Sequence, residues 1–228
     1  MDLRHFEQVI GFNFKDKDLL KQAFIHRSYL NEHKDLTLGH NERLEFLGDA
    51  VLELVVTDFL YHKYPDKPEG DLTAFRAALV NAVTLSEQAS LLAMNDYLLL
   101  SKGEAKDKGR ARQFILANTF ESVVGALYLD QGYAVAQQFI TQTVLVNDEK
   151  IVSQSLAQDY KSTFQKKAQE VYSQTPIYKV LSESGPDHNK RFVVGLFVGE
   201  EAIAEGQGPS KQEAEQEAAQ KGLEDKSW

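Results

Sequence analysis

The chain has 228 residues, 43% of them hydrophobic and 26% charged, which suits a folded protein of one large or two modest domains. It has no cysteine, so disulfide scaffolds, thiolate zinc sites and cysteine nucleophiles are excluded. The net charge is −9, and both parts stay acidic when the chain is split at Lys150, so bulk charge argues against a nucleic-acid binder.

No apolar run approaches the length that spans a bilayer. Met1 to Phe6 lacks the basic-then-apolar order of a secretory signal, so a cytoplasmic location without a membrane partner is expected. Apolar residues then recur at helical spacing. Leu19, Leu20, Ala23 and Phe24 follow Asp16 and Asp18, which suit a helix start. A second stripe, Leu44, Leu47, Val51, Leu54 and Val55, is ended by Pro65 and Pro68. Leu72, Phe75, Leu79 and Val83 continue the pattern, with Asp71 as expected N-cap. A polar loop from Ser101 to Gly109 precedes two further helical stretches, Phe114 to Leu127 and Val135 to Val146. Beyond Asp148 the period changes. One helix, around Phe164 to Val171, leads into alternating segments at Tyr178–Ser184, Phe192–Val198 and Ala202–Gln207, and Ser210 opens a last helix. The pattern predicts two domains, all-α over 1–147 and α-β-β-β-α over 158–228, joined by a linker at 148–157.

Glu42, Glu45, Asp49 and Glu53 fall within one arc of roughly 80° on the second predicted helix. Like charges so spaced repel, although a solvated helix face remains the simpler account of this stripe taken alone. Two further features point to chemistry. Glu69-Gly70-Asp71 stands at the start of a helix, and Asn118 and Glu121 lie three apart on a nearly all-apolar one. An acid buried there is costly without a partner, and no Lys or Arg lies between Arg112 and Lys150. Hard oxygen ligands brought together from separate helices are what Mg²⁺ needs, and such clusters support phosphodiester hydrolysis.

Asn41 to Leu52 resembles the signature stretch of the bacterial ribonuclease III family. The likeness extends to Ala23–Tyr29, Pro68–Asp71, Arg76–Val80 and Ile115–Glu121, while the second half resembles a double-stranded-RNA-binding domain. The resemblance therefore covers essentially the whole chain. It implies an all-α ribonuclease III endonuclease domain followed by an α-β-β-β-α RNA-binding domain. It further implies a Mg²⁺-dependent endoribonuclease, with Mn²⁺ as a plausible substitute, that cuts double-stranded RNA to 5′-phosphate and 3′-hydroxyl ends. Precursor ribosomal-RNA processing and mRNA turnover are the tasks it suggests.

Carried over by position, the family's metal ligands fall on Glu45 and Glu121, with Asp49 and Glu121 catalytic and Glu42 and Glu69 supporting from the margin. Asn118 stands where the family usually has Asp; its amide oxygen still ligates but carries no charge. Glu53 matches no family position and is expected on the solvated surface. Phe46 suits either the core or, as in the family, the interface of a homodimer. The histidines form no spaced ligand set, so His26 and His40 are expected to be structural.

Duplex RNA is read by shape, which requires a few placed groups rather than a basic domain. The matching groups are Ser162, Gln165 and Lys166, then His188, then Ser210 and Lys211 at a helix N-terminus. Gln212 replaces a Lys common in the family, and the loss should weaken the phosphate grip. The competing account is a double-stranded-RNA binder that does not cleave, favoured by Asn118 and opposed by Glu45, Asp49 and Glu121.

Overall fold

The computed structural model describes residues 2–152, 160–185 and 190–228, which form two compact units dividing after Val152. The first unit is helical. Around its core run α1 (Arg4–Ile10), α2 (Lys17–Ala23), α3 (Arg27–Glu32), α4 (Glu42–Lys63), α5 (Glu69–Leu79), α6 (Ala82–Leu91), α7 (Arg110–Gln131) and α8 (Tyr133–Thr143).

Helix α4 starts where the Asn41 carbonyl accepts from the Leu44 and Glu45 N–H groups, and stops at Tyr64, just before Pro65. Its Leu44, Val51, Leu52, Val55, Val56 and Leu60 are buried. Helix α7 is buried on nearly every side between Leu116 and Leu127, which explains the absence of polar alternation there. These two 22-residue helices cross at Gly48 and Gly125, where each backbone packs directly on the other.

Three local expectations are corrected. The helix assigned to Asp71 begins earlier, at Glu69 after Pro68, so Asp71 sits in its first turn, where a negative charge suits the helix dipole. The stripe running on to Val83 is broken at Asn81, whose side chain caps α6 by accepting from the Thr84 N–H at 2.9 Å. A short parallel bridge pairs Ile25 with Leu99, in a part with no visible strand pattern. One bridge is too short to produce alternation.

The segment expected as linker from 148 also differs. Residues 148–152 are helical, and Val152 is buried in the first unit's core. The buried Asp148 carboxylate accepts from Lys63 Nζ at 2.7 Å and from the Tyr64 hydroxyl at 3.0 Å.

The second unit runs α9 (Tyr160–Tyr172), β1 (Ile177–Ser184), β2 (Arg191–Val198), β3 (Glu201–Gly208) and α10 (Lys211–Lys226). The strands form an antiparallel sheet in the order β1-β2-β3. Phe164 and Ala168 of α9 and Ala218, Ala219 and Leu223 of α10 pack on Leu196 and Val198 of β2, so both helices cover one face.

Candidate functional site

Helix α4 presents Glu45 and Asp49 on either side of Gly48, and α7 presents Glu121 one turn before Gly125. A Cβ on Gly48 would fall 1.8 Å from the Glu121 carbonyl oxygen, so the backbone contact itself brings the acids of the two helices together. Ser122, fully buried beside them, donates from Oγ to the Asn118 carbonyl at 2.7 Å and reaches the Asn41 carbonyl at 3.4 Å. That ties this turn of α7 to the start of α4.

The electrostatics follow from the crowding. Burial, then the charges of Asp49 and Glu45, push the half-buried Glu121 carboxyl up to about 8. Glu45 is raised by burial and by Glu42 and Asp49, and held back by the nearby Asn118 amide. Asp49 is raised by desolvation and by Glu53. Among the described residues no Lys, Arg or His forms an ion pair with Glu45, Asp49 or Glu121. Nor do three His, Cys, Asp or Glu side chains stand together as a metal-holding group among them. Three carboxylates and one neutral amide are the hard donor set of a divalent cation.

The other expected acids are placed differently. Glu42 is exposed at the margin, 3.5 Å from Arg27 Nη1 and 3.7 Å from His40 Nδ1. Glu69, exposed on the first turn of α5, accepts from Thr73 Oγ1 at 3.1 Å and is not among the charges acting on the central three. Glu53 is not simply solvated: it is half-buried and 3.8 Å from Arg76 Nη1. His26 caps α3, its ring accepting from the Ser28 N–H at 3.3 Å. Phe46 is 82% exposed on the outer side of α4, so it does not belong to this chain's own core. Sequence reasoning overlooked Gly48, Gly125 and Ser122 as the residues that set the helix spacing. Glycine inside a long helix is the signal that marked two of them.

On the second unit, Ser162, Gln165 and Lys166 share the solvent face of α9, with Lys167 and Gln169 beside them. Phe164 and Ala168 turn inward. Ser210 caps α10 by accepting from the Glu213 N–H at 3.2 Å, and Lys211 Nζ lies 5.7 Å from the Phe192 ring centre. Lys166 and Lys211 are exposed and form no ion pair among the described residues. His188 lies outside the described residues.

The acid-bearing helical unit and the α-β-β-β-α module that follows it match a nuclease domain and an RNA-binding domain, in that order. Residues 16–148 match the family described as Ribonuclease-III-like, and residues 160–226 match the double-stranded RNA binding motif. A protein named Ribonuclease 3 from Oceanobacillus iheyensis is 45% identical over 225 residues, covering 98% of this chain and 97% of that one. Its namesake from Carboxydothermus hydrogenoformans is 44% identical over 226 residues, covering 98% and 95%. The nuclease domain of ribonuclease III from Campylobacter jejuni, solved in work on a region involved in its dimer formation, matches at TM-score 0.59 and 38% identity. That match covers 64% of this chain and 98% of that domain. The chain belongs to the ribonuclease III family and is an endoribonuclease carrying a double-stranded-RNA-binding motif. Among the described residues, no helix is long and apolar enough to cross a membrane.

Proposed function

We propose that this endoribonuclease hydrolyses phosphodiester bonds within double-stranded RNA with a bound divalent cation, Mg²⁺ or in its place Mn²⁺, leaving 5′-phosphate and 3′-hydroxyl ends. The observation that carries the proposal is Glu121, a carboxyl pushed up to about 8 beside two further acids and without a cationic partner among the described residues. Such a group is stabilised by a proton or by a metal ion, and above pH 8 only the metal remains.

Glu45 and Glu121 would hold the cation, with the neutral oxygen of Asn118 beside them. When bound, the cation supplies Lewis-acid charge to the scissile phosphate and lowers the pKa of water. Asp49, the exposed member of the central three, accepts a hydrogen bond from the attacking water and orients it. Glu42 and Glu69 act from the margin of the site, Glu69 from its separate helix. Ser162, Gln165, Lys166, Ser210 and Lys211 grip the duplex through 2′-hydroxyls and phosphates, and His188 joins them from its loop.

The functional division is a catalytic domain, a short linker and an RNA-binding domain. Two copies act as a homodimer, each cutting one strand to leave a short 3′ overhang. The exposed ring of Phe46 supports an inter-subunit role. Ribosomal-RNA precursors and structured mRNAs in the cytoplasm are the expected substrates.

Asn118, in place of the expected acid, favours one competing account: a protein that binds duplexes without cutting them. A labelled RNA duplex incubated with the protein, with Mg²⁺ and with a chelator instead, separates the two. Shortened products that require Mg²⁺ support the nuclease. A shifted, uncut duplex at every Mg²⁺ concentration supports the binder.

A further inference from the structure

In the second unit, a tie joins the turns of α9 and α10 that carry the proposed RNA contacts. Lys161, at the start of α9, precedes Ser162 and lies toward the inward face marked by Phe164 and Ala168. Its Nζ forms an ion pair with Glu215 of α10, one turn beyond Lys211. Its backbone N–H is one of the four that a helix start leaves without a partner of its own, and it donates to Gln216 Oε1 at 3.2 Å. The Tyr178 ring of β1 lies 4.8 Å from the same Nζ and closes a third side. The Lys161 and Glu215 side chains are 33% and 25% exposed, against 44% and 69% for the Lys167–Glu170 pair on the solvent side of α9. An apolar contact joins the two helices farther along, where the Phe164 ring packs on Gly222 so closely that a Cβ would fall 2.8 Å from it. Apolar packing is non-directional, so contact at that place alone lets the helices pivot. The tie at Lys161 adds a second point of attachment, at the end that bears the RNA contacts.

We propose that Lys161 is a positioning residue for duplex recognition: through Glu215 and Gln216 it holds the first turn of α9 against α10, so that Ser162 and Gln165 on one helix and Lys211 on the other meet the same duplex together. The proposal rests on the assignment of those residues as RNA contacts. Duplex RNA is recognised by the shape of its grooves, across a minor groove and the phosphates beside it. Two groups on a rigid frame bind such a shape better than two that must be ordered on contact, because folding has already ordered them. The bonds also define what Lys161 does with its charge. Its ammonium donates to Glu215 rather than facing solvent as those of Lys166 and Lys211 do, so it acts through the second helix. Removing Glu215 then has a diagnostic sign. Deleting an acid beside a polyanion strengthens binding on electrostatic grounds alone. Here the deletion releases the frame, and binding weakens.

The test measures binding of a labelled RNA duplex to the full chain by fluorescence anisotropy, over a series of salt concentrations and with a chelator present so that nothing is cut. Trp228, the only tryptophan in the chain, packs on Phe164 and Tyr172, so its fluorescence reports folding of this unit. Binding is read below the melting temperature that Trp228 gives for every variant. Lys161→Met and Glu215→Leu are each expected to weaken binding about tenfold. Each should also flatten the salt dependence by about one phosphate contact. Lys161→Arg keeps the charge and the donors and is expected to bind within about twofold of wild type. Lys211→Ala is expected to weaken binding, and adding Lys161→Met to it should cost no more than about a further twofold, because the contact is already lost. Wild-type or tighter binding by Glu215→Leu, or full additivity of Lys161→Met and Lys211→Ala, overturns the proposal. Unchanged affinity and salt dependence in Lys211→Ala overturns the assignment of the RNA contacts instead, so the two failures are distinguishable.

Discussion

Gly48 and Gly125 meet across the α4–α7 crossing with no room for a side chain on either. A Cβ on Gly48 would lie 1.8 Å from the Glu121 carbonyl oxygen, and one on Gly125 would lie 2.2 Å from the Leu44 carbonyl oxygen. The turns that carry the flanking acids are adjacent because the backbones touch. Gly48→Ala is therefore expected to destabilise the protein by about 3 kcal/mol, since the three nearest atoms are all backbone and cannot swing away. Displacing Glu45 and Asp49 from Glu121 by about 1 Å should lower cleavage on the order of 10²-fold. Gly70→Ala, with nothing within 4 Å, is the stability control and should change it by less than about 1 kcal/mol. Denaturant melts of the three proteins check this, and a Gly48→Ala protein as stable as wild type would remove the close approach from the account.

The Glu121 carboxyl also predicts a pH dependence. Its ordinary value is 4.5, and in the cation-free folded protein it rises to about 8. Folding therefore favours the protonated form, and the cation-free protein loses stability as pH rises from about 4.5 to 8 and no further from this group beyond that. Partial solvent screening reduces the effect to about 1–3 kcal/mol. Glu121→Gln should flatten that part of the profile, and Mg²⁺ should restore wild-type stability at pH 8 while having little effect at pH 5. Melting temperatures of both proteins at the two pH values decide it. Parallel profiles for wild type and Glu121→Gln would contradict the assignment.

Phe46, at 82% exposure, contributes little to the fold of its own subunit. Phe46→Ala should leave monomer stability within about 0.5 kcal/mol. A ring buried between two subunits costs about 2 kcal/mol or more when truncated, which weakens the dimer roughly 30-fold. Sedimentation across a concentration series measures that shift. An unchanged association constant would place Phe46 outside the interface.

A chain ending at Val152 keeps the Asp148 anchor to Lys63 and Tyr64 and the buried Val152. It should fold and dimerise, yet cleave duplex RNA only at low salt, having lost most of its phosphate contacts. Cleavage rates from low to physiological salt test this. Undiminished activity at physiological salt would remove the second domain from substrate binding.

The longer helices of the first unit were legible because their apolar spacing is local, as were the three strands because they alternate and end at turns; α1 and α3, of seven and six residues, are too short to show a stripe. What escaped depends on contacts distant in sequence. The Asn81 cap that splits α5 from α6 competes with a stripe that continues unbroken through Val83. The helical turn at 148–152 is polar in composition, and only its packing joins it to the first unit. Among the site residues, helical spacing alone gave the shared face of Glu45 and Asp49, and an acid on an apolar helix singled out Glu121. The partnership of Glu53 with Arg76 and the separation of Glu69 from the central three required the packing of α5 against α4. Phe46 was ambiguous for the same reason, since a helical pattern does not say which neighbour covers a ring.

The most direct test of the central claim compares wild type with Glu121→Gln on one labelled RNA duplex, measuring binding by gel shift and cleavage in Mg²⁺ on the same samples. Glu121→Gln should bind the duplex within a few-fold of wild type and yield no product, because the second domain holds the RNA and the cation needs the carboxylate. Cleavage by Glu121→Gln at near the wild-type rate in Mg²⁺ would contradict the assignment of the α4–α7 crossing as the catalytic centre.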